Sequence, residues 1–148
     1  DDLEKLDTWR NNRRGIFTEF QEMHLVLKGA IDEPIVNPKG QFVVLDFKTR
    51  GYPTKEDTAL HYQTQLDLYA LLFDRNGYPV APYGYLLFFW PKKYALHSAD
   101  FETEPVKMEV DPKRGVDILR QVVKIISGSE PPAHSDCEFC KFIEFVNS

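Results

Sequence analysis

The sequence predicts an α/β fold in which helices flank a mixed central sheet. Strand-length apolar runs precede one long amphipathic segment, further runs follow it, and a second amphipathic segment comes after them. The 148 residues, 43% of them hydrophobic, suffice for one substantial core. We therefore expect a single domain over residues 1–148. Because the chain does not begin with Met, we also expect that an upstream segment is missing.

The first half of the chain is predicted to contain one helix and three strands. The helix covers about residues 2–12, and the strands cover about residues 16–27, 29–36 and 41–49. The last of these strands is apolar almost throughout, which is typical of a strand that is covered on both faces.

A three-residue hairpin loop, Pro38-Lys39-Gly40, is predicted to join the second and third strands. Proline suits the first turn position, and glycine suits the position that needs a positive φ. In the resulting register Asn37 faces Gln41, and Asp32 lies directly opposite Asp46.

The second half of the chain begins with a predicted helix over about residues 55–74. Thr54 is its expected N-cap, and Arg75-Asn76-Gly77 is its expected stop. Two strands are predicted next, with Pro91 ending the first of them, and then a helix that follows the cap Asp111 and Pro112. The predicted ranges are about 83–90 and 105–110 for the strands, 113–127 for the helix and 129–148 for an irregular tail.

The strongest chemical signal is the triplet Asp46-Phe47-Lys48. Strand side chains alternate, so Asp46 and Lys48 share one face while Phe47 points to the opposite layer. Facing carboxylates at Asp32 and Asp46 repel each other unless a cation lies between them. Oxygen ligands of this kind suit Mg²⁺ or Mn²⁺. The pattern therefore predicts metal-assisted phosphodiester cleavage, whereas a D-x-K triplet by itself is more often a partly solvated ion pair.

The long helix carries polar side chains that could reach the same site. His61, Gln65 and Tyr69 recur at a spacing of four and so share one helix face. Gln65 and Tyr69 form a Q-x-x-x-Y motif directly after the D-x-K strand.

Together these motifs resemble the PD-(D/E)xK nuclease superfamily, and the Q-x-x-x-Y element resembles its RecB-like branch of recombination and CRISPR-adaptation exonucleases. The resemblance spans about residues 17–73. It implies a restriction-endonuclease-like three-layer sandwich with a mixed central sheet flanked by helices. The ordered motifs are G-x-I-D (Gly29, Ile31, Asp32), V-x-D-F-K-T (Val44, Asp46, Phe47, Lys48, Thr49) and Q-x-x-x-Y (Gln65, Tyr69).

The resemblance also implies a role for each motif residue. Asp32, Asp46 and the backbone carbonyl of Phe47 would hold the metal. Lys48 would orient or deprotonate the attacking water and stabilise charge on the phosphate. The remaining two, Gln65 and Tyr69, would hold the site and the nucleic-acid backbone.

The chain departs from this branch before the first core strand, where relatives carry an acidic residue or a His on a helix. The helical candidates Glu4 and Asp7 lie in no recognisable motif. Three further candidates fall on the predicted strand 16–27, where we expect them to face solvent or the groove: Glu19, Glu22 and His24.

The cysteines are the second departure. RecB-like relatives often carry a four-cysteine iron–sulfur cluster, whereas this chain has two cysteines, Cys137 and Cys140. The pair fills half of a tetrahedral iron–sulfur or zinc site, and His134 is a candidate third ligand. An iron–sulfur cluster cannot be completed from this chain alone.

Composition restricts the partners. A net charge of −5 lacks the strongly basic character of an avid DNA binder, so contacts must come from a local positive rim. Arg50, Lys92 and Lys93, beside strand ends, are the better candidates, and Lys55 is expected to be a solvated surface charge. Tyr52 and Tyr94 could stack on bases. No apolar run reaches the ~20 residues of a membrane span, and two close cysteines favour a reducing cytoplasm.

The sequence therefore predicts a metal-dependent deoxyribonuclease, expected to act as an exonuclease on single strands or DNA ends in repair, recombination or defence. Recombination or CRISPR-adaptation proteins are its expected partners, and no membrane is expected. Two alternatives stay open: a non-catalytic nucleic-acid or complex-assembly module of the same fold, and a small iron–sulfur or zinc protein. The preference for DNA over RNA, the polarity and the pathway stay open as well.

Overall fold

The computed structural model describes residues 2–129 and 131–147, with side chains from residue 4 onward. Four α-helices are present in these ranges: α1 Asp2–Trp9, α2 Gln63–Arg75, α3 Pro112–Ile126 and α4 Glu138–Val146. The six strands are β1 Ile16–Phe20, β2 Leu25–Gly29, β3 Glu33–Val36, β4 Phe42–Thr49, β5 Tyr83–Ala95 and β6 Ser98–Glu109. Short 3-10 helices cover Gln21–Met23 and Thr58–Tyr62.

A mixed four-stranded sheet in the order β3-β4-β5-β6 forms the centre of the molecule. Its middle pair, β4 and β5, is parallel, and the two outer pairs are antiparallel. The connection between β4 and β5 runs through α2, as a parallel pair requires. The remaining strands, β1 and β2, form a separate antiparallel hairpin. The predicted α/β class with a mixed central sheet is therefore confirmed.

The hydrophobic core lies between one face of this sheet and α2. Side chains of β4, β5 and β6 alternate along each strand, and the buried set packs against the inner face of α2. In turn, α3 packs on α2 through Leu119 and Leu71. The opposite sheet face is more open, and Phe47 and Phe89 contact each other there edge to face. The buried core includes Val44, Leu66, Ala70, Phe73, Leu86, Phe88 and Met108.

The predicted hairpin between β3 and β4 forms in the predicted register. The Asn37 N–H donates to the Gln41 carbonyl at 2.9 Å, and Gly40 adopts φ +74°. The Asn37 carboxamide oxygen also accepts from the N–H groups of Lys39 and Gln41. Side-chain and backbone bonds together fix the loop, so the pairing of Glu33 with Leu45 follows.

The prediction of one strand over residues 16–27 is wrong. The chain reverses at Gln21–Met23, and β1 returns as β2 so that Ile16 pairs with Gly29. The reversal needs a positive φ, and His24 supplies it at 51°. Because neither glycine nor proline marks this turn, the sequence pattern did not reveal it.

The start of the long helix also differs from the prediction. Residues 58–62 form a 3-10 helix, and α2 begins at Gln63 rather than near Lys55. The expected cap Thr54 instead donates its hydroxyl to the Glu104 carboxylate on β6. The turn is held by Thr58, whose hydroxyl accepts from the Lys55 N–H at 2.8 Å. A contact with a distant strand therefore outweighs a local cap.

Two elements extend beyond their predicted ends. Pro91 does not end β5, because a bulge between Pro91 and Lys93 allows pairing with β6 to continue to Ala95. The predicted irregular tail contains α4, which Cys137 caps by accepting the Cys140 N–H. Over the part of the chain that the structure describes, none of the helices has the length and apolar character needed to span a membrane.

Candidate active site

Strand β4 carries Asp46 and Lys48 on the sheet face that is covered by α2. The Asp46 side chain is buried, at 2% exposure, whereas Lys48 is partly buried. The Lys48 ammonium lies 2.5 Å from Asp46 Oδ2. These positions follow from strand alternation, which directs Phe47 to the opposite face, where it is 41% exposed.

Asp32 lies beside Asp46, as the hairpin register predicts. It comes one position before the pairing of Glu33 with Leu45, and its Oδ2 accepts the Phe47 N–H at 2.9 Å. Arg10 fixes the backbone here, since its guanidinium donates to the Asp32 carbonyl at 3.2 Å. Unlike Asp46, Asp32 is exposed to solvent.

Gln65, on the first turn of α2, connects the strand to the helix. Its Oε1 accepts from Lys48 Nζ at 2.8 Å, and its Nε2 donates to Asp46 Oδ1 at 3.2 Å. The same nitrogen donates to the Tyr69 hydroxyl at 2.9 Å. One carboxamide therefore contacts Asp46 and Lys48 of the D-x-K triplet and also Tyr69, one turn further along the helix.

A close approach of β2 to α2 positions Tyr69. A Cβ atom at Gly29 would lie 2.9 Å from Tyr69 Cε1 and 3.0 Å from Leu72 Cδ1. No side chain fits at that distance, so the glycine of the G-x-I-D motif is needed for packing. Burial is also the main cause of the raised pKa of Tyr69; the hydrogen bond from Gln65 opposes it.

Asp46 is a buried carboxylate whose charge is only partly compensated. Burial raises its pKa above the ordinary 3.8, Lys48 lowers it, and the neighbouring Asp32 raises it again. Although Lys48 is close to Asp46 Oδ2, the ammonium approaches outside hydrogen-bonding angles, so this buried oxygen accepts no hydrogen bond from the described residues. A misaligned ammonium offsets charge without satisfying a lone pair.

The donor set fits one hard cation. Two carboxylates face each other, and one of them has an unsatisfied buried oxygen, which a divalent ion would satisfy. Among the side chains that the structure describes, residues 4–129 and 131–147, no three His, Cys, Asp or Glu side chains gather as a metal site. The Phe47 carbonyl stays a predicted ligand, and water would complete such a shell.

The same result bears on the candidates for the helix-borne ligand of the branch. Glu4, Asp7, Glu19, Glu22 and His24 do not join Asp32 and Asp46 in a group of three within the described part of the chain. Nor does His134 join the two cysteines in such a group. The His134 Nδ1 instead accepts the Asp136 N–H at 3.1 Å, so this imidazole caps a turn.

The predicted nucleic-acid contacts lie beyond the carboxyl end of β4, on the same end of the sheet. Arg50 follows β4, and its guanidinium lies 4.9 Å from the Tyr52 ring centroid. Lys92 and Lys93 lie on β5 beyond Phe89, the residue that pairs with Thr49 at the end of β4. The rise per residue of a strand puts them ~10 Å or more beyond that pair. Lys92 forms an ion pair with Glu102, which lowers the pKa of that carboxyl group. Lys93 is exposed at the bulge.

Tyr62 is a site residue that the sequence analysis missed. Its ring lies 4.6 Å from Lys48 Nζ, so the ammonium is held between Asp46, Gln65 and this aromatic face. The available signal was its spacing, because Tyr62 precedes Gln65 by three positions and therefore shares its side of the helix.

A mixed sheet that carries this D-x-K triplet beside a helix-borne Q-x-x-x-Y pair defines the restriction-endonuclease-like class of α/β proteins. The family model of the PD-(D/E)XK nuclease superfamily matches residues 2–145. The chain belongs to the PD-(D/E)XK nuclease superfamily.

Among solved structures, the chain is similar to the one described as the crystal structure of SSO0001, with 23% sequence identity and a TM-score of 0.47. That similarity covers 80% of this chain and 50% of the other, so the chain spans about half the length of that protein. No curated protein matches the chain.

Proposed function

We propose that this protein is a divalent-metal-dependent nuclease of the RecB-like branch that hydrolyses phosphodiester bonds in DNA. The observation that supports this most strongly is Asp46, a buried carboxylate with an unsatisfied oxygen between Asp32 and Lys48. Burying such a group weakens the fold unless a ligand compensates it. A cation between two carboxylates, with an ammonium beside it, is the arrangement that phosphodiester hydrolysis uses.

Each residue of the cluster has a distinct task in this proposal. Asp32 and Asp46 would hold Mg²⁺ or Mn²⁺, which when bound supplies a Lewis acid and a water of lowered pKa. Lys48 directs its charge to the place where the phosphate oxygen and the attacking water meet. Gln65 keeps the Lys48 ammonium in position by accepting a hydrogen bond from it. Tyr69 closes the network behind Gln65.

The substrate we propose is a single strand or a DNA end. The site lies near the carboxyl end of the inner strand β4, and Arg50 and Lys93 add positive charge beyond that end, where Lys92 is paired with Glu102. Such a local rim compensates for the net charge of −5. A role in repair, recombination or defence, with partners from recombination or CRISPR adaptation, belongs to this proposal, as does a cytoplasmic location.

The second candidate is a non-catalytic nucleic-acid-binding or complex-assembly module. One observation favours it: the described residues provide two acidic side chains at the site and no group of three metal-binding side chains. A protein that lost a ligand would keep the fold and the rim but would not cleave.

Two substitutions distinguish these candidates. Lys48→Ala removes a preorganised charge and is expected to slow cleavage by about 10²–10³-fold while Mn²⁺ still binds. Asp46→Ala is expected to lose both cleavage and Mn²⁺ binding. Lys39→Ala is the matched control, because this exposed lysine lies in the hairpin loop, ~25 Å away at the other end of β4.

The measurement is cleavage of end-labelled single- and double-stranded DNA with Mg²⁺, Mn²⁺ or EDTA, together with isothermal titration of Mn²⁺. Equal cleavage rates for the parent and Lys48→Ala would show that the activity does not come from this triplet. A parent that binds DNA but leaves it intact in both metals would identify the binding module instead.

A further inference from the structure

We propose that the cavity beside Lys48 holds one unpaired nucleotide of the substrate strand and thereby selects single-stranded over paired nucleic acid. This inference rests on the proposed nuclease function. The cavity has a volume of about 550 Å³ and lies where β4 ends. Its lining includes Arg50, Tyr52, Lys55, Asp57, His61 and Tyr62.

Two chain segments form the walls of this cavity. The first is the chain that leaves β4, and the second is the turn and 3-10 helix that precede α2. Thr58 is buried and fixes the turn, because its hydroxyl accepts the Lys55 N–H. On the other wall, the Arg50 N–H donates to the Phe89 carbonyl at 2.9 Å. A local hydrogen bond therefore fixes one wall, and a backbone hydrogen bond to β5 anchors the other.

The lining has the chemistry that a nucleotide needs. Tyr52 is 59% exposed, and the Arg50 guanidinium lies against its ring. Such a stacked pair offers an aromatic platform for a base and a charge for its phosphate. Lys55 adds a second cation and Asp57 an anion, so these three charges sum to a net positive wall. From sequence, Lys55 is expected to be a solvated surface charge, because local pattern does not predict that it lines a cavity with Arg50 and Asp57.

Two side chains that line the cavity adjoin the catalytic cluster. Tyr62 lines the cavity, and the Lys48 ammonium lies over its ring at 4.6 Å. His61 lines both this cavity and a second one of about 360 Å³, whose wall includes Gln65 and Tyr69. The two cavities therefore share His61 as a wall, and the second also reaches Gln65, the hydrogen-bond partner of Lys48.

The size of the cavity determines what can enter. Its volume lies in the range of about 300–1,000 Å³ that is typical of small-molecule sites. A single nucleotide is of this size, whereas a base pair held in a duplex must first be unstacked. The cavity therefore favours strands whose bases are already unpaired.

Equilibrium binding tests this inference apart from catalysis. Dye-labelled oligo-dT and a blunt DNA hairpin are titrated in EDTA, and binding is followed by fluorescence anisotropy. Tyr52→Ala is expected to weaken oligo-dT binding by about tenfold, since base stacking on an aromatic ring is lost. Hairpin binding is expected to change little, and Tyr52→Phe is expected to bind like the parent.

Charge variants give responses of opposite sign. Arg50→Ala is expected to weaken oligo-dT binding and to reduce its salt dependence, whereas Asp57→Asn is expected to strengthen binding. Lys39→Ala, which removes one positive charge as Arg50→Ala does, is the distant control. Melting curves of each variant show that the fold is retained.

The possible outcomes separate this inference from the proposed function. A Tyr52→Ala protein that binds oligo-dT as tightly as the parent, or a parent with no oligo-dT binding, overturns the nucleotide cavity even if DNA is cleaved. In a second outcome, the parent does not cleave DNA in Mn²⁺, but Tyr52→Ala binds oligo-dT more weakly than the parent does. That result supports the nucleotide cavity and contradicts the catalytic proposal.

Discussion

At the scale of single residues, Asp46 shows how the site conflicts with the stability of the fold. Burial and the neighbouring Asp32 raise its pKa, and the pairing with Lys48 does not fully offset them. A carboxyl group whose pKa is raised in the folded state holds its proton more tightly there than in the unfolded chain. Stability therefore falls as pH rises from 3.8 through the raised pKa, and it stays lowered at neutral pH.

Asp46→Asn is accordingly expected to raise the melting temperature of the metal-free protein at pH 7. The amide removes the buried charge but keeps an oxygen that can accept from Gln65 Nε2. Each kcal/mol gained corresponds to about 2–4 °C in a chain of this size. Differential scanning calorimetry in EDTA measures the shift.

The response to metal gives the complementary test. Millimolar Mn²⁺ is expected to raise the melting temperature of the parent, because an ion that binds only the folded state stabilises it by mass action. The Asp46→Asn protein is expected to respond weakly or not at all. An unchanged parent melting curve in Mn²⁺ would contradict the assignment of the metal site.

Gly29→Ala tests whether the packing of the G-x-I-D glycine positions Tyr69. The new methyl group would lie 2.9 Å from the Tyr69 ring, so the ring or α2 must shift. We expect a loss of stability of about 1–3 kcal/mol and slower cleavage. Urea denaturation and a cleavage assay measure both effects.

Gly51→Ala is the control for this substitution, since a Cβ there meets nothing within 4 Å. It is expected to leave the denaturation midpoint unchanged. If Gly29→Ala matches Gly51→Ala in stability and the parent in cleavage rate, the close approach of β2 to α2 is not needed to hold Tyr69.

At the scale of secondary structure elements, Asp67 joins α2 to α3. This side chain is 1% exposed, and its carboxylate accepts the Asp111 N–H at 2.8 Å. It also accepts from both Nε and Nη2 of Arg114, at 2.9 and 3.0 Å. Asp67 and Asp46 are both buried aspartates. Both carboxylate oxygens of Asp67 accept hydrogen bonds, whereas Asp46 Oδ2 accepts none from the residues that the structure describes.

Asp67→Asn is therefore expected to destabilise the protein, opposite to Asp46→Asn. The charge-assisted bonds to Arg114 are lost, which costs about 2–3 kcal/mol. Asp117→Asn is the matched control on α3, because the ion pair of Asp117 with Arg120 is exposed and is worth no more than about 1 kcal/mol. Similar urea midpoints for Asp67→Asn and Asp117→Asn would show that the joint does not stabilise the fold.

The elements themselves were predictable to different degrees. The β3–β4 hairpin followed from Pro38 and Gly40, because turn geometry is set by a few local residues. The β1–β2 turn and the 3-10 start of α2 did not follow from local pattern. The β1–β2 turn has His24 in a left-handed conformation, which is uncommon for a histidine, and Thr54 is held by Glu104 on the distant strand β6.

At the scale of the whole molecule, the cysteine pair lies on the C-terminal helix α4 and its cap. Cys137 caps α4, and the hydrogen bond from Cys140 lowers the pKa of its thiol. Neither cysteine is fully buried or in a disulfide. The described residues place no third metal-binding side chain with them.

We therefore expect the purified chain to contain no stoichiometric iron and to react as a dithiol. An aromatic disulfide reagent is expected to titrate two thiols per chain without denaturant, since the lowered pKa of Cys137 favours the reactive thiolate. Two thiolates cannot close a four-ligand cluster. About four iron atoms per chain by elemental analysis, with absorbance near 400 nm, would overturn this expectation.

The sequence by itself determined the fold class, the superfamily, and which strand and helix carry the motif residues. These depend on periodicity, turn residues and motif order, all of which are local properties of the chain. The roles of the motif residues stay predictions.

The tertiary structure decided which groups share one environment. Only the folded arrangement places Lys48 over the ring of Tyr62 and gathers Arg50, Tyr52 and Lys55 around one cavity. It also leaves Asp46 Oδ2 without a hydrogen bond from any residue that the structure describes. Burial and through-space charge depend on residues far apart in the chain, so no reading of local pattern provides them.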